Sequence, residues 1–303
     1  MNIRIVALVA LAAPLLLSAQ TSGRVYPERA DDLAWENDLV AFRAYGPATQ
    51  RRGEKAFGYD LFLKYPGKGP VLERLYGEQT SAANWAKVDS LRRVDEALAK
   101  DFENSFTYHI DHGYGMDCFA VGPTLGCGVA ALALGDSICY PWCYDSVDII
   151  DNGPERFKAE LVFAPVRIGA DSLVTEHRLI TLDAGTHLNR CEVWYEGLNE
   201  PCRIAVGFPV RSREAMASDS GEGIIAVADP TQGPDNGHIF LGAVCESPCN
   251  GAEFLDGHYV LSSTLAPGER FVYNWGYAWN RTDIPDFDLW LDYLRTYKKE
   301  HHE

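Results

Sequence analysis

Past its first twenty residues, this 303-residue chain has no apolar run approaching the roughly 18 residues of a membrane-spanning helix, so no membrane span is expected. Positive charge is also scarce: 27 Lys and Arg stand against 43 Asp and Glu, a formal charge of −16. Such a surface repels phosphate backbones and argues against nucleic-acid partners. There is no Gly-x-Ser-x-Gly, phosphate loop, His-Glu-x-x-His or dinucleotide glycine fingerprint before a helix, which removes the common hydrolase, nucleotide and zinc-protease readings. EF-hand spacing is missing, and neither Cys-x-x-x-Cys pair has a second pair at finger-like spacing. The expected cofactor is none, or a structural or catalytic divalent ion. Internal repeats, low-complexity stretches and long linkers are absent between Ala30 and Lys298.

The chain opens on Arg4, an apolar stretch from Ile5 to Leu17, and the small residues Ser18 and Ala19. This pattern reads as a secretory signal peptide over residues 1–20, followed by a single domain over 21–303 in the periplasm or outside the cell. Eight cysteines in an exported chain suggest disulfides, with local pairs at Cys118/Cys127, Cys139/Cys143, Cys191/Cys202 and Cys245/Cys249. Cys191 and Cys202 flank the turn-rich Glu196–Pro201 and are expected to face each other across a hairpin.

Strand-like runs bounded by Gly, Pro, Asn and Asp recur from Leu39 onward, and only Trp85–Phe102 and Phe287–Tyr297 have helical periodicity. Without regular strand–helix alternation the fold class is all-β, an antiparallel β-sandwich with a helical insertion and a C-terminal helix. Phe157, Ala159, Leu161 and Phe163 alternate with Arg156, Lys158, Glu160 and Val162, the period of a half-buried strand. Phe271, Tyr273, Trp275, Tyr277 and Trp279 also share one face. An aromatic layer between sheets is the plain reading, with Tyr277 and Trp279 as candidate platforms for sugar rings.

The densest polar constellation is Tyr108-His-Ile-Asp-His-Gly-Tyr-Gly-Met-Asp117, followed by the glycine-rich Gly122–Gly128. His109 and His112, with Asp111 between them, supply the residue types of a general base and its orienting partner, or of metal ligands. Tyr108 and Tyr114 are candidate acids, and Asp111 and Asp117 a candidate carboxylate pair. Arg178 is the candidate for meeting a substrate carboxylate, and Arg211 and Arg213 share a strand face. Trp35, Glu36 and Asn37 are candidates for stacking on a sugar and binding its hydroxyls, although a turn entering an edge strand accounts for Asn37-Asp38 equally well. Trp142 offers a further stacking surface.

Trp35-Glu-Asn-Asp with Phe42-Arg-Ala-Tyr-Gly-Pro47, Asp111-His-Gly-x-Gly-x-Asp117 with Val121-Gly-Pro-Thr-Leu-Gly-Cys-Gly128, Asp151-Asn-Gly-Pro154, Leu182-Asp-Ala-Gly185 and Tyr273-x-Trp-Gly-x-x-Trp279 resemble the exported bacterial family DUF4861. The motif containing Arg43 adds that residue to the substrate-binding candidates. The C-terminal half, with Glu176-x-Arg178 and Leu265-Ala-Pro-Gly-Glu-Arg-Phe271, is similar to the galactose-mutarotase-type β-supersandwich. That resemblance implies large antiparallel sheets and a carbohydrate partner. The Asn-His motif of aldose epimerases does not occur, which argues against ordinary mutarotase activity. The expected function is action on uronate-containing glycans by β-elimination, with glycoside hydrolysis by paired carboxylates or non-catalytic glycan binding as alternatives.

Overall fold

The computed structural model describes residues 20–212, 215–233 and 235–302. Most of the expected signal peptide and Arg213 lie outside the described residues. Three antiparallel sheets make up the described architecture. The first runs in chain order through Ser22–Tyr26, Asp32–Glu36, Ala41–Ala44, Asp60–Lys64 and Gly115–Met116. The largest has nine strands, in the order Met216–Asp219, Ile224–Pro230, His238–Cys245, Phe271–Trp279, Leu188–Glu196, Asp171–Asp183, Arg156–Val162 and Ser146–Asn152, with Val166–Ile168 beside Asp171–Asp183. The third comprises Glu253–Leu255, His258–Leu265, Cys202–Pro209, Ala130–Leu134 and Ser137–Ile138. The antiparallel sandwich is therefore as the sequence pattern implies.

Alternation sets the layers. Phe157, Ala159 and Leu161 turn inward while Arg156 is exposed and Lys158 and Glu160 are half-buried. All five aromatics from Phe271 to Trp279 are buried, and one apolar cluster takes residues from all three sheets. Trp35, wholly buried, joins two of them. Its ring lies 6.0 Å from Phe157 in a stacked arrangement and 6.4 Å from Trp275 edge-on, and its indole N–H donates to Asn189 Oδ1 at 2.7 Å.

The helical region departs from expectation. Helices span Leu72–Gln79, Ala82–Arg92 and Glu96–Asn104, and the C-terminal helix spans Phe287–His302. Asp95 interrupts the expected Trp85–Phe102 helix: its carboxylate accepts from the Ala97 and Leu98 amides and starts a new helix. The break resets the helical face, so Val88 is buried while Val94 is 82% and Leu98 51% exposed.

The cysteine expectation is also corrected. All eight are free thiols, and Cys191 and Cys202 belong to different sheets. Cys191 stands opposite Ile180 and Tyr273, whereas Cys202 stands opposite Leu265. The Gly197–Pro201 connection carries the chain between sheets, so these cysteines do not face each other across a hairpin.

Replacing Trp35 by Ala removes stacking between two sheets and orphans Asn189. The expected loss of stability is about 3–5 kcal/mol, read as a lower urea midpoint.

Candidate active site

The N-terminal sheet carries an unusual number of charges on buried strands. Arg43 and Asp60 stand directly opposite each other on neighbouring strands, and both are buried. Arg43 Nη2 donates to Asp60 and, at 3.1 Å, to Asp117 Oδ2, while the Tyr45 hydroxyl donates to Asp60 at 2.5 Å. Asp32 Oδ2 lies 3.9 Å from Arg43 Nη1. Burial disfavours the guanidinium charge, but Asp60, Tyr45 and Asp117 keep Arg43 well above the ordinary arginine value. Three carboxylates compete for this cation. Burial pushes Asp117 and Asp32 each up to about 6 against the lowering effect of Arg43.

Asp117 links this buried network to the surface. Its amide donates to the Tyr108 carbonyl, drawing the polar loop back on itself. His109, with 57% of its side chain exposed, sits over it: Nδ1 is 3.0 Å from the Asp117 carbonyl and 3.9 Å from its carboxylate. A carbonyl can only accept, so the neutral imidazole carries its proton on Nδ1 and presents the Nε2 lone pair elsewhere. His109 is thus an exposed base backed by a buried carboxylate.

The other loop residues have structural partners. His112 Nε2 lies 3.1 Å from the Thr107 carbonyl, and Tyr108 is buried, its hydroxyl accepting from Arg29 Nε. Tyr114 donates to Glu78 at 2.6 Å beneath the Arg74 guanidinium. Asp111 Oδ1 accepts from the Gly113 and Gly115 amides, and its Oδ2 accepts from the Tyr65 hydroxyl at 2.8 Å. The following glycine-rich run serves close packing: at Gly126, with φ of +60°, a Cβ would stand 2.1 Å from the Tyr59 carbonyl oxygen.

Tyr65 and Arg281, not singled out in the sequence, border the same region. Burial, followed by the bond to Asp111, raises the Tyr65 phenol. The Cys118 thiol, pushed up to about 12 by burial, feels Asp117, Asp60 and Asp111 as well as Arg281, which gathers these groups about one place. Asp60 was legible in principle, because a carboxylate beginning the apolar run Asp60-Leu-Phe-Leu-Lys64 needs a buried partner.

Several sequence candidates belong elsewhere. Trp35, Tyr277 and Trp279 are core residues and present no platform to a sugar. The Tyr277 hydroxyl donates to the Phe62 carbonyl at 2.5 Å, and the Trp279 indole N–H donates to the Asn236 carbonyl at 2.8 Å. Glu36 is consumed by Lys64 at 2.6 Å and by the amides of Val71 and Leu72 at the start of helix Leu72–Gln79. Asn37 closes a turn, its Oδ1 accepting from Leu39 and Val40 and its amide donating to the carbonyls of Asp183 and Thr186. This is the turn reading, although Ala41–Ala44, the strand it enters, is an inner strand with neighbours on both sides. Arg43 is an internal counter-ion, not a surface contact for substrate.

Arg178 is buried against Glu176, beneath Tyr59 and Phe163. Trp142 shares with Glu176, Phe163 and Tyr195 a separate small pocket of about 50 Å³. Arg211 does reach the polar loop's continuation, bonding Asp229 at 2.7 Å and the Ala120 carbonyl, with its guanidinium over Phe119. Among the described residues, no group of three or more His, Cys, Asp or Glu side chains is arranged to hold a metal ion.

Fold and site together define an antiparallel β-sandwich protein with a polar shelf over a buried charge network. The chain belongs to the family described as Domain of unknown function (DUF4861), whose model matches residues 15–303. It is 27% identical over 289 residues to "Uncharacterized protein P7" of Formosa agariphila, covering 91% of this chain and 67% of that protein. Among solved structures, α-N-acetylgalactosaminidase NagBb from Bifidobacterium bifidum, a quadruple mutant, matches with a TM-score of 0.37 and 10% identity. The match covers 93% of this chain but 38% of that protein.

The buried Glu36–Lys64 pair gives a direct test of the structural assignment. Glu36→Ala leaves an uncompensated buried ammonium and is expected to cost about 3–5 kcal/mol in chemical denaturation. Glu36→Gln combined with Lys64→Met, which removes the charge and keeps the helix-capping oxygen, is expected to recover most of that loss.

Proposed function

We propose that the protein is exported and acts on uronate-containing glycans by β-elimination at the shelf formed by His109, Tyr65 and Arg281. The observation that carries the reading is the exposed His109 ring, whose Nδ1 is bound to the Asp117 carbonyl and whose Nε2 is left as the basic nitrogen. In the proposed step Nε2 removes the uronate C5 proton, the released electron pair forms the C4–C5 double bond, and the C4–O bond breaks. The Tyr65 hydroxyl turns from Asp111 Oδ2 to the leaving oxygen and gives it its proton, and solvent returns the proton from His109 to the phenolate. Asp117 opposes the positive charge that develops on the imidazole. Arg281, exposed beside Trp279, replaces the buried Arg178 as the group that neutralises the substrate carboxylate. Elimination is preferred to hydrolysis because Glu36 is neutralised by Lys64 and Asp111 is engaged by two amides and Tyr65. The burial of Trp35, Tyr277 and Trp279 weakens the purely binding alternative.

Incubation with a panel of uronate oligosaccharides is expected to generate ultraviolet absorbance with no change in total mass. His109→Ala should lower the rate by about 100-fold or more, and Tyr65→Phe should also lower it. Full activity in His109→Ala, or products heavier by one water, removes this mechanism.

The pH dependence follows from Asp117. Its carboxyl, raised to about 6, is ionised above that pH and neutral below it, so support for the developing imidazolium is lost as pH falls through about 6. The activity profile of Asp117→Asn should have a lower plateau and lack the contribution of this group to the acid limb.

A further inference from the structure

A broad groove crosses the outer face of the nine-stranded sheet, between its central strands and the flank of the C-terminal helix. Its volume is about 560 Å³, and none of its lining residues belongs to the His109 shelf. Its floor follows from strand register. Lys158 lies opposite Thr181, Thr181 opposite Arg190, and Arg190 opposite Asn274, so these four side chains form a row across neighbouring strands on one face. Arg156 and Asp183, two residues away along their strands, are joined by two hydrogen bonds of 2.5 and 2.8 Å.

The helical wall carries Tyr293 and Tyr297 one turn apart. Both rings are fixed by their hydroxyls. The Tyr293 oxygen accepts from the His187 amide at 3.0 Å, while Tyr297 donates to Asn274 Oδ1 at 3.0 Å. Anchoring reduces the freedom that binding would remove. Lys158 is half-buried and has no ion-pair partner among the described residues, in a protein whose formal charge is −16.

We infer that this groove is a second glycan site, for an acidic oligosaccharide lying across the strands. The acid group meets Lys158, and sugar hydroxyls meet Thr181, the Arg156–Asp183 pair and Arg190. Planar charged pairs serve hydroxyls well because one partner donates and the other accepts. This inference is independent of the elimination chemistry and adds a place where a polymer is held away from the His109 shelf.

The test uses the full chain carrying His109→Ala, so that binding is read without turnover. Calorimetric titration compares an oligogalacturonate, a sulfated oligosaccharide of similar length and a neutral cello-oligosaccharide. Binding of at least one acidic probe is expected, stronger than that of the neutral one and weakened by salt. Its affinity should fall at least tenfold in Lys158→Glu and in Thr296→Trp, which fills the groove from an exposed helical position. The two acidic probes separate carboxylate from sulfate recognition. Absence of binding by both acidic probes, equal affinity for the neutral probe, or unchanged affinity in folded Lys158→Glu and Thr296→Trp proteins overturns the assignment. In the otherwise unaltered chain, Lys158→Glu should leave any turnover of short substrates unchanged, so failure of elimination and failure of this groove are separate outcomes.

Discussion

A buried guanidinium organises one end of this molecule. Arg43 stands on an inner strand of the N-terminal sheet, where an unpaired cation would be very costly. Asp60 answers it across the strand pair, and Asp117 answers it from a segment 74 residues further along the chain. The second contact draws the end of the polar loop against the sheet. Through the short link between His109 and the Asp117 backbone, it also sets the position of the exposed imidazole. The geometry of the shelf is therefore inherited from a charge that itself never reaches solvent.

The same economy governs the rest of the sandwich. Trp35, Trp275, Tyr273 and Tyr277 fill the space between sheets, and the polar atoms of Trp35, Tyr273 and Tyr277 bond backbone or side chains across the layers. Tyr277, for example, both accepts from the Ala41 amide and donates to the Phe62 carbonyl. Residue types that suit sugar recognition at a surface are here spent on joining sheets. Large aromatic area stabilises a core most effectively when each hydroxyl and indole N–H finds a partner, and Tyr277 satisfies this condition on both counts.

The two polar regions differ in construction. At the His109 shelf one exposed base rests on a buried network of paired charges, an arrangement suited to moving a proton. On the outer sheet face, charged and hydroxyl side chains are spaced by strand register and flanked by anchored rings, an arrangement suited to holding an extended chain. Neither depends on the pocket at Trp142, which is lined by Glu176 together with residues such as Phe163, Val174 and Tyr195.

The sequence by itself determined the layer architecture. Alternation in Arg156–Val162 and Phe271–Trp279 is a local property, and it specifies which face is buried whichever strands become neighbours. It also located the loop containing His109 and Asp117 through the density of ionisable groups. Only the tertiary structure decided which of the candidate side chains are consumed. Glu36 meets Lys64, Tyr114 meets Glu78, and Arg178 meets Glu176, and two of these three pairings join residues far apart in the chain. The separation of Cys191 from Cys202 has the same origin, because a five-residue connection can close a hairpin or cross between sheets. Long-range partners and sheet membership depend on the packing of the whole chain, and local spacing carries no record of them.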